Sequence, residues 1–196
     1  MLLVLFVGVS LAAQEGTIPD EDDTPEPEWV DIITAPFSTG DRNFVISLGT
    51  IIPTVFGGLG ENDHGLSLGG SCTLAFNYFI NENVFVGGEL GGMFSGTRSG
   101  NMLYVLPFGA RIGYQFWYQR YEFPLSLMLG IAPERYLGKG YIGPVLKGSA
   151  SAFLRYNPEW SFGLNGVWWF LPQWPKNSNN TVGNFLEITI SARHHF

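Results

Sequence analysis

Residues 66–95 read LSLGGSCTLAFNYFINENVFVGGELGGMFS, and this stretch decides the fold. Leu66, Leu68, Cys72, Leu74, Phe76, Tyr78 and Ile80 fall on one parity. Ser67, Gly69, Ser71, Thr73, Ala75 and Asn77 fall on the other. After the polar turn Asn81-Glu82-Asn83 the alternation resumes. Val84, Val86, Leu90 and Phe94 share one face, and Gly87, Glu89, Gly91 and Ser95 share the opposite one. A period of two means extended strands with side chains pointing alternately to opposite sides. Each run is about twice the length of an ordinary soluble strand, which suits a tilted strand crossing a bilayer.

The solvent supplies the rest of that inference. Within lipid every backbone N–H and C=O needs an internal partner, so only helices and closed barrels can span. No run beyond residue 14 has the length and apolarity of a spanning helix. Charged residues make up 14% of the chain and aromatic residues 15%. Soluble domains carry roughly a quarter charged residues, so this shortage favours an apolar exterior. Gly is abundant within the alternating runs, where it fits tight bends and narrow barrel interiors.

The net charge of −7 is unevenly distributed. Residues 14–41 hold nine acidic and no basic residues, whereas residues 42–196 hold eight acidic and ten basic. The acidity therefore belongs to the leading segment, and no basic patch points to nucleic acid. Residues 1–13 are an apolar run ending in small residues, the pattern of a secretory signal peptide cleaved near Ala12–Gln14, although without a basic start. Residues 14–41 are acidic and Pro-rich, and are expected to be largely disordered. Asp20–Asp23 lack the spaced ligands and glycine turn of a calcium loop and read as solvated linker. The single cysteine, Cys72, sits on the apolar parity and reads as a small buried hydrophobe.

Eight alternating runs follow from Arg42: 42–52, 66–80, 84–95, 102–116, 122–132, 141–156, 160–171 and 183–196. Loops are expected at Pro53–Gly65, Pro133–Gly140 and Pro172–Val182, and a turn at Asn157-Pro-Glu159. Long and short connections roughly alternate, as they do when hairpins cross a membrane with short turns on one side. The outward faces carry Phe44, Ile46 and Leu48, then Tyr104 to Phe116, Phe123 to Ile131, and Trp160 to Phe170. Aromatic residues gather near run ends, as at Trp117-Tyr-Gln-Arg-Tyr121. The expected architecture is all-β: a closed eight-stranded antiparallel up-and-down transmembrane β-barrel over residues 42–196.

Six charged residues fall on the inner parity: Glu89, Arg111, Lys147, Arg155, Glu187 and Arg193. An eight-stranded barrel is just wide enough to be filled by side chains, and an unpaired charge there is costly. Glu89 and Glu187 are therefore expected to bridge to basic partners, with Arg111 the first candidate. Two readings stay open: a packed polar core without transport, or a narrow pore.

The final run, Asn184-Phe-Leu-Glu-Ile-Thr-Ile-Ser-Ala-Arg-His-His-Phe196, places Leu186, Ile188, Ile190, Ala192, His194 and Phe196 on one face. It resembles the C-terminal strand of bacterial outer-membrane barrels, in which a terminal aromatic such as Phe196 is the signal read by the barrel-assembly machinery. With the leader and the eight runs, residues 42–196 resemble the small eight-stranded OmpA/OmpX/OmpW class. The resemblance implies an integral outer-membrane protein with extracellular loops and periplasmic termini. Its implied partners are membrane lipid, the assembly machinery, and a small solute or a host surface ligand. OmpW-like members are associated with lateral passage of small hydrophobic molecules, and OmpX-like and OmpA-like members with adhesion or membrane integrity. Neither catalysis nor a cofactor is expected.

Two rival classes are weighed against it. A soluble lipocalin-like carrier of an apolar ligand would turn its apolar parity inward and its charges outward. A lipid-modifying barrel enzyme would need a His near a Ser at one rim, and Asp63, His64 and Ser67 are the candidates. No Gly-x-Ser-x-Gly elbow supports the latter. His194 and His195 point to opposite faces of a regular strand, which argues against a two-His metal site.

Overall fold

A computed structural model describes residues 37–58, 66–97, 100–136, 138–173 and 181–196. The leader, Asp20–Asp23, and Asp63 with His64 lie outside the described residues. Among the described residues nine strands form one antiparallel sheet: β1 (Arg42–Gly58), β2 (Leu66–Phe79), β3 (Val84–Thr97), β4 (Met102–Val105), β5 (Phe108–Tyr118), β6 (Tyr121–Tyr136), β7 (Lys139–Arg155), β8 (Trp160–Gln173) and β9 (Thr181–His195). β4 and β5 are two halves of one stave, both lying between β3 and β6. The barrel therefore has eight staves. β9 pairs with β1 from His195↔Asn43 to Thr181↔Gly58, which closes the sheet and leaves no free edge.

Local sequence sets the turns at the rim that holds Arg42 and Phe196. Asn81 Oδ1 accepts from the amides of Asn83 (2.9 Å) and Val84 (2.7 Å) between β2 and β3. Asn157 Oδ1 does the same for Glu159 (3.0 Å) and Trp160 (2.7 Å) between β7 and β8. A short polar side chain that bonds its own backbone a few residues on is a turn-former by mechanism. Between β5 and β6 the turn is Gln119-Arg120, with Gln119 in the left-handed region at φ 54°.

Several strands outrun the expected lengths. β1 continues through Pro53 to Gly58, and a register shift between Pro53 and Val55 absorbs the proline. β6 takes in Pro133–Tyr136, and β8 takes in Pro172 and Gln173, all expected as loop. Conversely, the expected unbroken run 102–116 is interrupted at Leu106-Pro107. Proline cannot donate to a ladder, so it sits where pairing is irregular. Its neighbours still seal the wall: Gly91 N donates to the Pro107 carbonyl (2.7 Å) and Leu106 N to the Pro133 carbonyl (2.9 Å).

The two faces divide by chemistry. Every strand exposes large apolar side chains outward, among them Leu48, Phe76, Leu90, Tyr104, Ile112, Leu129, Ile142, Leu164 and Ile190. Leu129 is 67% exposed and Ile190 71%. Contiguous apolar surface on this scale is foreign to a soluble monomer, whose patches reach roughly a few hundred Å². The charged residues of the inner parity face the lumen, the reverse of a soluble carrier. Two details depart from the simple alternation. Leu66 packs inward against the core, because β2 and β3 shift register between Leu66 and Gly69. Cys72 is exposed on the outer wall rather than buried in protein.

Inside, the barrel is layered. Eleven buried apolar residues, including Ile51, Leu103, Met128, Trp169 and Phe185, fill the half away from the termini. Phe37, Phe79 and Phe85 fill the rim near the termini. Polar and charged side chains occupy the middle, beside a small apolar cluster of Val45, Ala75 and Phe153. Phe37 thus belongs to the barrel, although the acidic segment was expected to run to residue 41. Glycine lets neighbouring staves approach: a Cβ on Gly130 would lie 2.1 Å from the Phe108 carbonyl oxygen and 2.7 Å from the Gly109 Cα. Gly130→Val should therefore cost about 1–3 kcal/mol through overpacking. The check is a lower urea midpoint for the refolded protein in lipid vesicles, with Gly100→Val, which meets nothing within 4 Å but has φ +81°, showing the separate cost of backbone strain.

Candidate functional site

The lumen is where this chain concentrates its chemistry. Alternation sends one side chain in two inward, and antiparallel register stacks inward residues of neighbouring staves. Arg111 on β5 pairs with Gly87 of β3 on one side and Met128 of β6 on the other. Lys147 on β7 is opposite Met128 and Trp169. Such positions point charged groups at one another across the bore.

Two ion-paired groups result. In the first, Glu89 receives both Lys147 Nζ, in close contact, and Arg111 Nη1 at 3.4 Å. Lys147 Nζ also lies 3.9 Å from Glu187 Oε2, which accepts from Trp169 Nε1 at 2.6 Å. The ammonium sits 4.1 Å above the Trp169 ring. Arg111 Nη2 donates to Ser126 Oγ (2.7 Å), whose oxygen is 2.6 Å from Ser149 Oγ. In the second group Glu122, fully buried, is the hub. Arg193 Nη1 donates to its Oε2 at 2.7 Å, and Arg155 Nε lies 3.4 Å from its Oε1. Ser161 Oγ donates to Oε1 at 3.2 Å and stands 2.8 Å from His195 Nε2.

The structure thus brings Glu89, Arg111, Lys147 and Glu187 together in one group and Arg155 with Arg193 in another. Sequence reasoning missed Glu122, the hub of the second, although it shares the parity of Ser126 and Met128. It also missed Glu134, which is buried and accepts from Gln173 Nε2 in close contact. Glu134 sits just beyond a proline that reads as the start of a loop. Inward acids Glu89, Glu122, Glu134 and Glu187 balance inward bases Arg111, Lys147, Arg155 and Arg193. Glu134 bonds to Gln173 and stands apart from both ion-paired groups.

Little space remains. The central cavity, bordered by Ser47, Thr73, Glu89, Arg111, Asn165 and Thr189, measures about 30 Å³, room for roughly two water molecules. Asn165 Nδ2 spans this layer to Ser47 Oγ (3.2 Å) and Thr189 Oγ1 (3.0 Å). Below it Phe37 stacks on Phe79 with centroids 3.8 Å apart and meets Trp117 at 4.8 Å. Arg155 lies 5.2 Å over the Phe37 ring. A hydrogen-bonded turn holds Phe37 there: Ser38 N donates to Asp41 Oδ2 (2.7 Å) and Gly40 N, at φ 100°, to the Phe79 carbonyl (2.9 Å).

The remaining candidates lie elsewhere. Ser67 is exposed near the opposite rim, and its carbonyl accepts from Ser95 Oγ at 2.6 Å. His194 faces outward beside Trp160 and Phe196, with centroids 4.7 and 5.4 Å away, whereas His195 faces the lumen. Among the described residues no group of three or more His, Cys, Asp or Glu side chains is placed to hold a metal. Phe196 is exposed at the β1–β9 seam, its amide donating to the Arg42 carbonyl at 3.1 Å.

A closed eight-stave barrel with apolar outside and charged bore is a membrane β-barrel, and its fold is that of the small outer-membrane barrels of the OmpA/OmpX/OmpW class. The chain is similar to Neisserial surface protein A, with TM-score 0.57 and 13% identity over 80% of this chain and 97% of that one. It is likewise similar to OprG of Pseudomonas aeruginosa, with TM-score 0.58 and 11% identity over 81% and 97%. At such identities the likeness is one of fold. A family model matches residues 21–194, and the chain belongs to that family. In sequence it is 32% identical over 95 residues to an uncharacterized protein of Treponema pallidum (strain Nichols). That match spans 48% of this chain and 43% of the relative, so less than half of the relative's length is represented.

Removing one member of a buried ion group leaves its partners uncompensated. Glu122→Ala strands Arg155 and Arg193 and should cost about 3–5 kcal/mol. Tryptophan fluorescence during urea unfolding in vesicles reads this out, and raising salt should not restore the loss, because buried pairs are poorly screened.

Proposed function

We propose that this protein is an integral outer-membrane barrel with a structural or surface-interaction role, and that its bore does not conduct. One observation carries the reading: an ion-paired layer with about 30 Å³ of free space lies between two apolar plugs. A water-filled pore needs an open polar path. None is present among the described residues. The ion pairs cost desolvation energy, so they are weak stabilisers in themselves. Their use is to let eight staves carry polar inward faces, which keep those faces out of lipid, while still filling the bore.

In this reading the rim holding Arg42 and Phe196 faces the periplasm, where its turns are short, and the opposite rim faces outward. Membrane lipid is the obligatory partner. The aromatic cluster of Phe76, His194 and Phe196 at the seam is what we assign to contact with the barrel-assembly machinery. A surface ligand, if the role is adhesive, is met by the outward-facing connections. The reading makes no use of catalysis.

Planar-bilayer recording of the refolded protein tests the proposal. Silence across the accessible voltage range is expected. Discrete, reproducible openings from the full chain overturn it in favour of a narrow pore.

A further inference from the structure

The outer wall is not uniform. Between β6 and β1 a groove of about 900 Å³ crosses β4, β3 and β2. Leu48, Cys72, Phe94, Tyr104 and Leu106 line it. Its floor is low because Gly70 and Gly92 occupy outward positions. The Phe94 ring lies over Gly70, 2.8 Å from where a Cβ would stand, and Leu106 leans to within 3.4 Å of the same point on Gly92. The stave break at Leu106-Pro107 lies beside it. At its upper end stands Arg135, exposed, directly opposite Tyr104 in the ladder. No ion pair joins Arg135 to any described carboxylate. Its neighbour Glu134 points inward, to Gln173.

Height decides what this arginine meets. From Phe123 to Arg135 the outward face of β6 rises twelve residues. At roughly 3.3 Å per residue and a tilt of about 40°, that is about 30 Å along the membrane normal. The apolar band of such barrels is about 25 Å tall, so Arg135 stands at headgroup level while the groove beneath lies in hydrocarbon. Four inter-strand steps give the groove a span of roughly 19 Å. A closed barrel offers no strand edge to a peptide, so the groove suits a flexible apolar chain ending in a negative charge.

We propose that this groove is a binding site for one anionic lipid, with Arg135 on the headgroup phosphate and Leu48, Phe94, Tyr104 and Leu106 along an acyl chain. The inference rests on the membrane reading above and names a specific partner within it. A guanidinium pairs with phosphate by parallel N–H···O bonds, and a basic residue at a membrane surface favours anionic lipid by about fivefold.

The test uses native mass spectrometry of the full chain, released from mixed micelles of phosphatidylglycerol and phosphatidylcholine. Insertion into vesicles is verified first by heat-modifiable gel mobility. One retained phosphatidylglycerol, favoured about fivefold over phosphatidylcholine, is expected. Arg135→Gln should abolish that preference, whereas Arg42→Gln, at the other rim, should leave it intact. Leu106→Trp, which fills the groove and keeps the arginine, should reduce retention of both lipids. Equal retention of the two lipids by the wild-type protein, or unchanged preference in Arg135→Gln, overturns the proposal and leaves the membrane reading standing. Failure of the wild-type chain to insert at all overturns both.

Discussion

In hydrocarbon a backbone amide without a partner is too costly to keep, and the pairing of β1 with β9 is where this chain meets that demand. The seam runs the length of both strands and ends on reciprocal bonds between Arg42 and Phe196. Closure is therefore the condition for everything else. It fixes which residues face lipid, and it fixes the width of the bore. Even at Leu106-Pro107, where the ladder breaks, the wall is kept bonded by the Pro107 and Pro133 carbonyls.

A bore of eight staves is narrow, and side chains must fill it. This one is filled in three layers, apolar at both ends and polar between. The polar layer is ion-paired group by group, with Glu89 shared by Arg111 and Lys147, and Glu122 by Arg155 and Arg193. Large cations over aromatic rings knit the layers together, as Lys147 does on Trp169 and Arg193 on Phe153 at 4.0 Å. The membrane-facing side inverts the usual order, and the groove across β2, β3 and β4 carries a cation at its upper end.

Much of this was legible because a strand's side-chain period is two and is a local property. The outward face from Ile46 to Ile190 follows from it, as does the inward direction of Arg111 or Lys147. Prolines misled at the strand ends. Pro53, Pro133 and Pro172 read as loop, yet they lie in strands, tolerated at a bulge or near strand ends. Glu134 was hidden behind one of them. Glu122 was hidden for a different reason, lying one residue past an aromatic turn. Phe37 carried no periodic signal, since a single turn places it rather than a strand.

The sequence by itself determined that the chain is a barrel in lipid and most of the side chains its bore receives, though not Glu122, Glu134 or Phe37. Both depend on alternation and on the chemistry of the two faces, which any short window contains. Only the tertiary structure decided who meets whom. Arg193 and Glu122 are 71 residues apart and touch because closure and strand stagger bring β9 and β6 to the same level of the bore. Stagger is a property of the closed ring, and no single strand encodes it.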